Sequence, residues 1–124
     1  MKLLNDDLPI YLQLRKHIEE RILNRYLNEE EAVPSIRIMA KDYQINPITV
    51  ANALSALVDE GILYKKRGVG MFVAFGARAK IIHLRSASFI SEKLEPTLRY
   101  ARQLELSQDT LITLINTIYG EKHE

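Results

Sequence analysis

One run constrains this fold more than any other: a capped helix that stops at a glycine and passes straight into a basic, glycine-bearing hairpin. Asn46 can cap, Pro47 takes a first helical position where its missing N–H costs nothing, and Thr49 follows in the first turn. The helical pattern continues to Glu60, and Gly61 ends it in a left-handed conformation that a side chain would resist. Ile62-Leu63-Tyr64-Lys65-Lys66 and Met71-Phe72-Val73-Ala74 are rich in strand formers. Arg67-Gly68-Val69-Gly70 between them supplies a hairpin turn, with the hairpin ending near Phe75 and Gly76 as a hinge.

Two helices precede this run. Ser35, after Pro34, caps a short helix through Tyr43, with Ile38, Met39 and Tyr43 facing inward and Arg37 and Lys41 outward. Only Gln44-Ile45 separates it from the next helix, which makes the pair a helix-turn-helix candidate. Upstream, a helix is expected over residues 8–26, with Asp6 and Asp7 ahead of Pro9 at its first turn. Ile10, Leu14, Ile18 and Ile22 recur every four residues as an apolar stripe, and Arg15, Lys16, Glu19 and Glu20 fill the other faces. Three helices followed by a basic hairpin make a winged helix-turn-helix, placed at residues 1–76.

From Ala79 onward the pattern is helical again. Ala87, Ile90, Leu94, Leu98, Ala101 and Leu104 are three or four residues apart. Pro96 interrupts them and predicts one kinked helix or two shorter ones. Ser107 caps a final helix carrying Leu111, Ile112, Leu114, Ile115 and Ile118. So small a helical hairpin cannot hide two such faces alone, and a second subunit is the simplest cover. Residues 77–124 are therefore expected to form a dimerisation or effector segment, with Ile90, Leu94, Leu98, Ala101, Leu111, Ile115 and Ile118 at the contact. The fold class is mostly α with a small β-hairpin: a winged helix-turn-helix followed by a C-terminal helical dimerisation hairpin.

Several function classes fall away. The chain has 124 residues and no cysteine, which excludes disulfide scaffolds, thiolate metal sites and cysteine nucleophiles. The N-terminus lacks a signal-peptide pattern and no apolar run reaches membrane-spanning length, so a soluble cytoplasmic protein is expected. His17, His83 and His123 are scattered, without metal-ligand spacing or a nucleophile nearby. Gly68-Val69-Gly70 lies inside a hairpin and is no phosphate loop. No catalytic residue, metal or cofactor is expected.

The net charge of +1 is weak evidence against a nucleic-acid partner, but the placement of charge matters more. Lys65, Lys66 and Arg67 are the densest basic run, and the acidic Glu29-Glu30-Glu31 lies far from it in sequence. With Val50, Leu54, Leu57 and Val58 on the buried face of the second helix of the pair, Ile48, Asn52 and Ser55 fall opposite, flanked by Asn46 and Thr49. A recognition helix enters the major groove by its N-terminal residues. Asn52 suits adenine and Ile48 a thymine methyl. Ser35 and Thr49 suit phosphate oxygens, and Arg37 a guanine edge or a phosphate. In the wing, Arg67 beside Gly68 suits a narrow minor groove, with Lys65 and Lys66 along the flanking phosphates. Against this stands an ordinary solvated helix face, about as good an account of Asn52 and Ser55 but a poorer one of Ile48. Tyr64, Phe72 and Phe75 read as hairpin packing.

Five segments, in order, resemble the GntR family of bacterial regulators. They are Pro9-Ile10-Tyr11-Leu12-Gln13-Leu14, Val33-Pro34-Ser35-Ile36-Arg37-Ile38-Met39-Ala40, Asn46-Pro47-Ile48-Thr49-Val50, Leu57-Val58-Asp59-Glu60-Gly61-Ile62-Leu63 and Arg67-Gly68-Val69-Gly70-Met71-Phe72-Val73. The third looks like the YtrA-like subfamily, as does the short tail. The resemblance implies double-stranded DNA contacts from Ser35, Arg37, Thr49, Arg67 and Gly68, homodimers on palindromic operators, and a link to transporter operons. Repression is the default, because nothing in the sequence looks like a polymerase-contacting surface. Where many members carry serine-arginine at the recognition helix, this chain has Asn46-Pro47, so that arginine contact is not carried over. Glycines common after the first helix and before the proline-serine are replaced by Asn24, which tolerates the left-handed region, and by Glu29 to Glu31.

The rival reading is a winged helix that binds protein instead of DNA. The two separate on Arg37, Lys65, Lys66 and Arg67: convergence on the surface of Ile48 and Asn52 favours DNA, whereas dispersal, or salt bridges with Glu29 to Glu31, favours a protein partner. The tail is too short for a separate ligand-binding domain. A small-molecule effector, of unknown identity, would have to act at the dimer interface or between tail and wing, changing the distance between recognition helices.

Overall fold

The computed structural model describes residues 8–121; Asp6, Asp7 and His123 lie outside them. Six α-helices and one hairpin follow in order: α1 Ile10–Leu23, α2 Ile36–Tyr43, α3 Pro47–Asp59, β1 Leu63–Lys66, β2 Gly70–Val73, α4 Ala77–Phe89, α5 Glu95–Gln103 and α6 Gln108–Tyr119. No described helix is long and apolar enough to cross a membrane. The chain divides after Leu84 into two compact units.

The first unit encloses a core. α1 contributes Leu14, Ile18 and Ile22, α2 Met39, α3 Val50, Ala53, Leu54 and Leu57, and the hairpin Leu63 and Val73. Ala77 and Ile81, at the start of α4, are fully buried in the same core, so this unit extends past the expected boundary at residue 76. α1 is shorter than residues 8–26. Pro9 has an extended ψ of 146° and caps the helix instead of entering it. Ile10, expected on the inward stripe, is 44% exposed in that first turn. Glu19, expected outside, is buried instead. Arg15 pairs with it at 3.6 Å and also with Glu60, tying α1 to the end of α3. In α2 the covered stripe is Ile36, Met39, Ala40 and Tyr43. Ile38 lies about 100° around the helix from Met39 and is exposed, contrary to expectation.

Helix ends follow one pattern with different residues. After α3, Gly61 at φ +76° lets the Ile62 N–H reach the Leu57 carbonyl at 2.9 Å. The same bond closes α1 (Tyr26 to Arg21, 2.9 Å), α2 (Ile45 to Ala40, 3.0 Å) and α5 (Leu106 to Ala101, 3.1 Å). There the left-handed residues are Arg25, Gln44 and Glu105, none of them glycine. Asn24, expected to take that role, keeps φ −88° while its neighbour turns.

β1 and β2 pair antiparallel, Leu63 opposite Val73 and Lys66 opposite Gly70. Residues 30–33 run along the free edge of β2. Glu30 N–H donates to the Val73 carbonyl (2.7 Å), Val73 N–H to Glu31 (2.9 Å), and Val33 N–H to Met71 (2.9 Å). The acidic run, remote in sequence, thus lies beside the hairpin.

The described part of the second unit is helical up to Tyr119, apart from the turn between α5 and α6. Between α4 and α5 the backbone widens into a π-helical turn, Ile90–Leu94, whose closing bond joins the Glu95 N–H to the Ile90 carbonyl. Pro96 has no N–H to give and its ring crowds the carbonyl four residues back, so the wider turn just ahead of it absorbs the break. α6 begins at Ser107, whose hydroxyl accepts from the Thr110 N–H at 3.1 Å.

Candidate nucleic-acid interface

The helix-turn-helix is positioned by two side-chain caps and one strained turn. Ser35 Oγ accepts from the Ile38 N–H at 3.2 Å, and Asn46 Oδ1 from the Ile48 N–H at 2.8 Å. Each satisfies one donor that a helix start leaves open. Gln44, left-handed at φ +57°, reverses the chain between α2 and α3. The linkage is braced by His17 of α1. Its Nε2 lies 3.0 Å from the Tyr43 hydroxyl, with the rings edge to face at 5.1 Å. Burial, then the Arg21 charge, hold the His17 imidazole below its ordinary pKa, so the neutral ring is favoured.

α3 is two-faced. Val50, Ala53, Leu54 and Leu57 are buried, while Ile48, Asn52 and Ser55 are exposed. Ile48 is 70% exposed, high for an isoleucine in a helix whose opposite face is fully packed. Asn46 is exposed and Thr49 half-buried. Ser35 and Arg37, at the start of α2, are exposed as well. With the Asn46 oxygen already engaged in capping, its amide group remains for another partner.

The wing tip is built by backbone chemistry. The Val69 N–H closes a turn on the Lys66 carbonyl at 2.9 Å. Gly68 at φ +76° and Gly70 at φ +138° hold it, conformations that side chains rarely adopt. Arg67 and Val69 are exposed at the tip, and no heavy atom lies near where a Cβ on Gly68 would point. Strand alternation then separates the two lysines. Lys66 shares a face with Tyr64 and Phe72, its Nζ 4.7 Å from the Phe72 ring centre. Lys65 shares the opposite face with Met71. Tyr64 stacks on Phe72 at 5.8 Å and its hydroxyl donates to Glu30 Oε2 at 3.4 Å. Partial desolvation and the Glu30 carboxylate push the Tyr64 phenol up. Phe75, expected to pack in the hairpin, is 87% exposed because it follows the last strand pair, where the chain turns into α4.

Among the described residues, none of Arg37, Lys65, Lys66 and Arg67 is in an ion pair, although Glu29 to Glu31 lie at the wing root. Glu31 instead accepts from the Asn28 N–H at 2.6 Å. No cluster of three metal-ligating side chains occurs among the described residues. Two features had escaped the sequence reading. The splitting of Lys65 from Lys66 was available from strand alternation; the apolar Val69 at the tip carried no signal.

Residues 10–73 match the family model described as "Bacterial regulatory proteins, gntR family". The chain is 30% identical over 109 residues to the HTH-type transcriptional regulator YhcF of Bacillus subtilis (strain 168), covering 88% of each chain. It is 30% identical over 87 residues to the HTH-type transcriptional repressor YtrA of the same organism, covering 70% of this chain and 66% of YtrA. Among solved structures, a protein from Bacteroides thetaiotaomicron described as a transcriptional regulator of the GntR family superposes with a TM-score of 0.70 at 32% identity, over 90% of this chain and 96% of that one. The DNA-binding domain of AraR in complex with operator ORX1 superposes with a TM-score of 0.56 at 25% identity, over 60% of this chain and 95% of that one.

Proposed function

Because the chain belongs to the gntR family of bacterial regulatory proteins, and is therefore a regulator and not an enzyme, we propose that it is a cytoplasmic, operator-binding transcriptional repressor of the YtrA-like type, acting as a homodimer on a palindrome. The observation that carries this reading is the recognition helix: its inner face is buried while Ile48 and Asn52 stand exposed behind the Asn46 cap. Ile48 and Asn52 then read bases, while Ser35, Thr49, Asn46 and Arg37 take phosphates and flanking edges. Arg67, with Gly68 behind it, enters the minor groove, and Lys65 and Lys66 flank it from opposite faces of the wing. The lack of an ion pair at any of these cations among the described residues favours DNA over a protein partner, while the placing of Lys65 and Lys66 on opposite strand faces, with Lys66 over the Phe72 ring, tells against full convergence.

Repression is supported by the named activity of YtrA, and DNA as partner by the AraR complex with its operator. Control of a transporter operon follows the subfamily resemblance. The homodimer rests on the second unit, where Ile90, Leu94, Leu98, Ile115 and Ile118 are exposed and Leu111 is half-buried. Ala101 is already buried within the single chain and contributes less to a dimer surface. A small-molecule effector would act through that surface.

The test is binding to a fluorescent duplex from the gene's own upstream region, against scrambled DNA, across a salt series. A preference for the upstream duplex and affinity falling steeply with salt are expected. Arg67→Ala should weaken binding to both duplexes and flatten the salt slope by about 1. No binding to either duplex at low salt would overturn the reading.

A further inference from the structure

The recognition helix carries the wrong charges at its C-terminal end. Asp59 and Glu60 sit where the helix dipole is negative, and its last turn contains no basic residue. Compensation comes from elsewhere. Arg15 of α1 pairs with Glu60. Lys80 of α4 covers Gly61 so closely that a methyl group built there would meet its Nζ at 2.6 Å.

The start of α4 repeats this on a second helix. Arg78 Nε donates to the Leu23 carbonyl at 3.0 Å, at the C-terminal end of α1. Ala77 and Ile81, four residues apart, fill the core between these two cations. The first turns of α4 are thus fastened by one apolar face and two cations, each at the C-terminal end of a helix of the DNA-binding unit.

We propose that Arg78 and Lys80 are positioning residues for operator recognition: they hold the start of α4 on the ends of α1 and α3, and so fix the separation of the two recognition helices on DNA. The proposal rests on the operator-binding homodimer. Each added base pair between half-sites rotates one of them by about 35°, so a fixed separation tolerates few spacings. Neither residue need touch DNA.

The experiment uses the full-length protein and a palindrome obtained by selection from random duplexes. Affinity is measured for that palindrome with its central spacer lengthened or shortened by one and two base pairs, and for a single half-site. The wild type should lose about tenfold or more for each change of spacer, and Arg78→Met/Lys80→Met about two- to threefold, with half-site affinity unchanged. Arg78→Lys, which retains a donor for the Leu23 carbonyl, should recover part of the selectivity. A double variant as selective as the wild type overturns the proposal. A wild type indifferent to spacing also overturns it; if that wild type binds the palindrome no more tightly than the single half-site, the dimer reading has failed as well, whereas a retained gain over the half-site leaves the dimer standing. Should the double variant melt early, Lys80→Met alone carries the test, since Lys80 is exposed.

Discussion

The unit that ends at Leu84 and the one that begins at Arg85 are built from the same kind of amphipathic helix, yet only the first encloses its apolar residues. In the first, α1, α2, α3, the hairpin and the start of α4 surround a shared interior, and Leu14, Leu54, Leu57, Ile62 and Ile81 lose nearly all contact with solvent. In the second, Ala101 is the single buried residue among those described, while Phe89, Leu94, Leu98, Leu104, Ile115 and Ile118 remain exposed. Periodicity makes an apolar face; the number of elements around it decides whether that face becomes a core or an interface. Exposed apolar residues of this kind are what the proposed homodimer would cover.

The sharpest way to break this contrast is to replace one leucine in each region. Leu57→Ala should cost about 2–5 kcal/mol, read from denaturant unfolding, and the loss should not depend on protein concentration. Leu98→Glu should leave the first unit folded but shift light scattering from dimer to monomer and lower operator affinity by about 100-fold, because two linked half-sites become independent. A Leu98→Glu protein that remains dimeric would remove the contrast altogether.

Smaller changes sharpen it at the helix ends. Gln44→Gly and Glu105→Gly should each raise stability by about 1 kcal/mol, since a side chain is disfavoured in the left-handed region. Gly61→Ala should lower it by a similar amount, and thermal melts would order the three. The smallest effect concerns His17, which belongs to the core-bearing unit alone. Its folded-state pKa lies below the unfolded value of about 6.5, so the unfolded chain takes up the proton first. The stability it contributes is complete above that value and falls as pH drops through it toward the folded pKa. A His17→Gln variant should show a flatter stability profile in that window; parallel profiles would deny the contribution of the His17–Tyr43 contact.

The functional surface was legible to different depths. Ser35, Asn46 and Ser107 were each readable as caps because a cap is a bond between a side chain and a backbone group two or three residues away. Gly61 was readable because glycine signals its own freedom, whereas Arg25, Gln44 and Glu105 adopt the same conformation against their preference, held by surrounding structure. The position of Glu30 against Tyr64, and the pairing of residues 30–33 with β2, join segments far apart in sequence and left no local trace.

By itself the sequence determined the order of elements, the two faces of the recognition helix, the glycine turn of the wing and the surplus of apolar surface in the tail, because each depends on periodicity or on contacts within a few residues. Only the tertiary structure decided that the acidic run lies beside the wing without pairing its cations, that Arg15 and Lys80 compensate the end of α3, and that α4 begins inside the core. Those facts depend on which distant elements share a surface, and that is settled by the joint packing of the whole unit, which no single segment encodes.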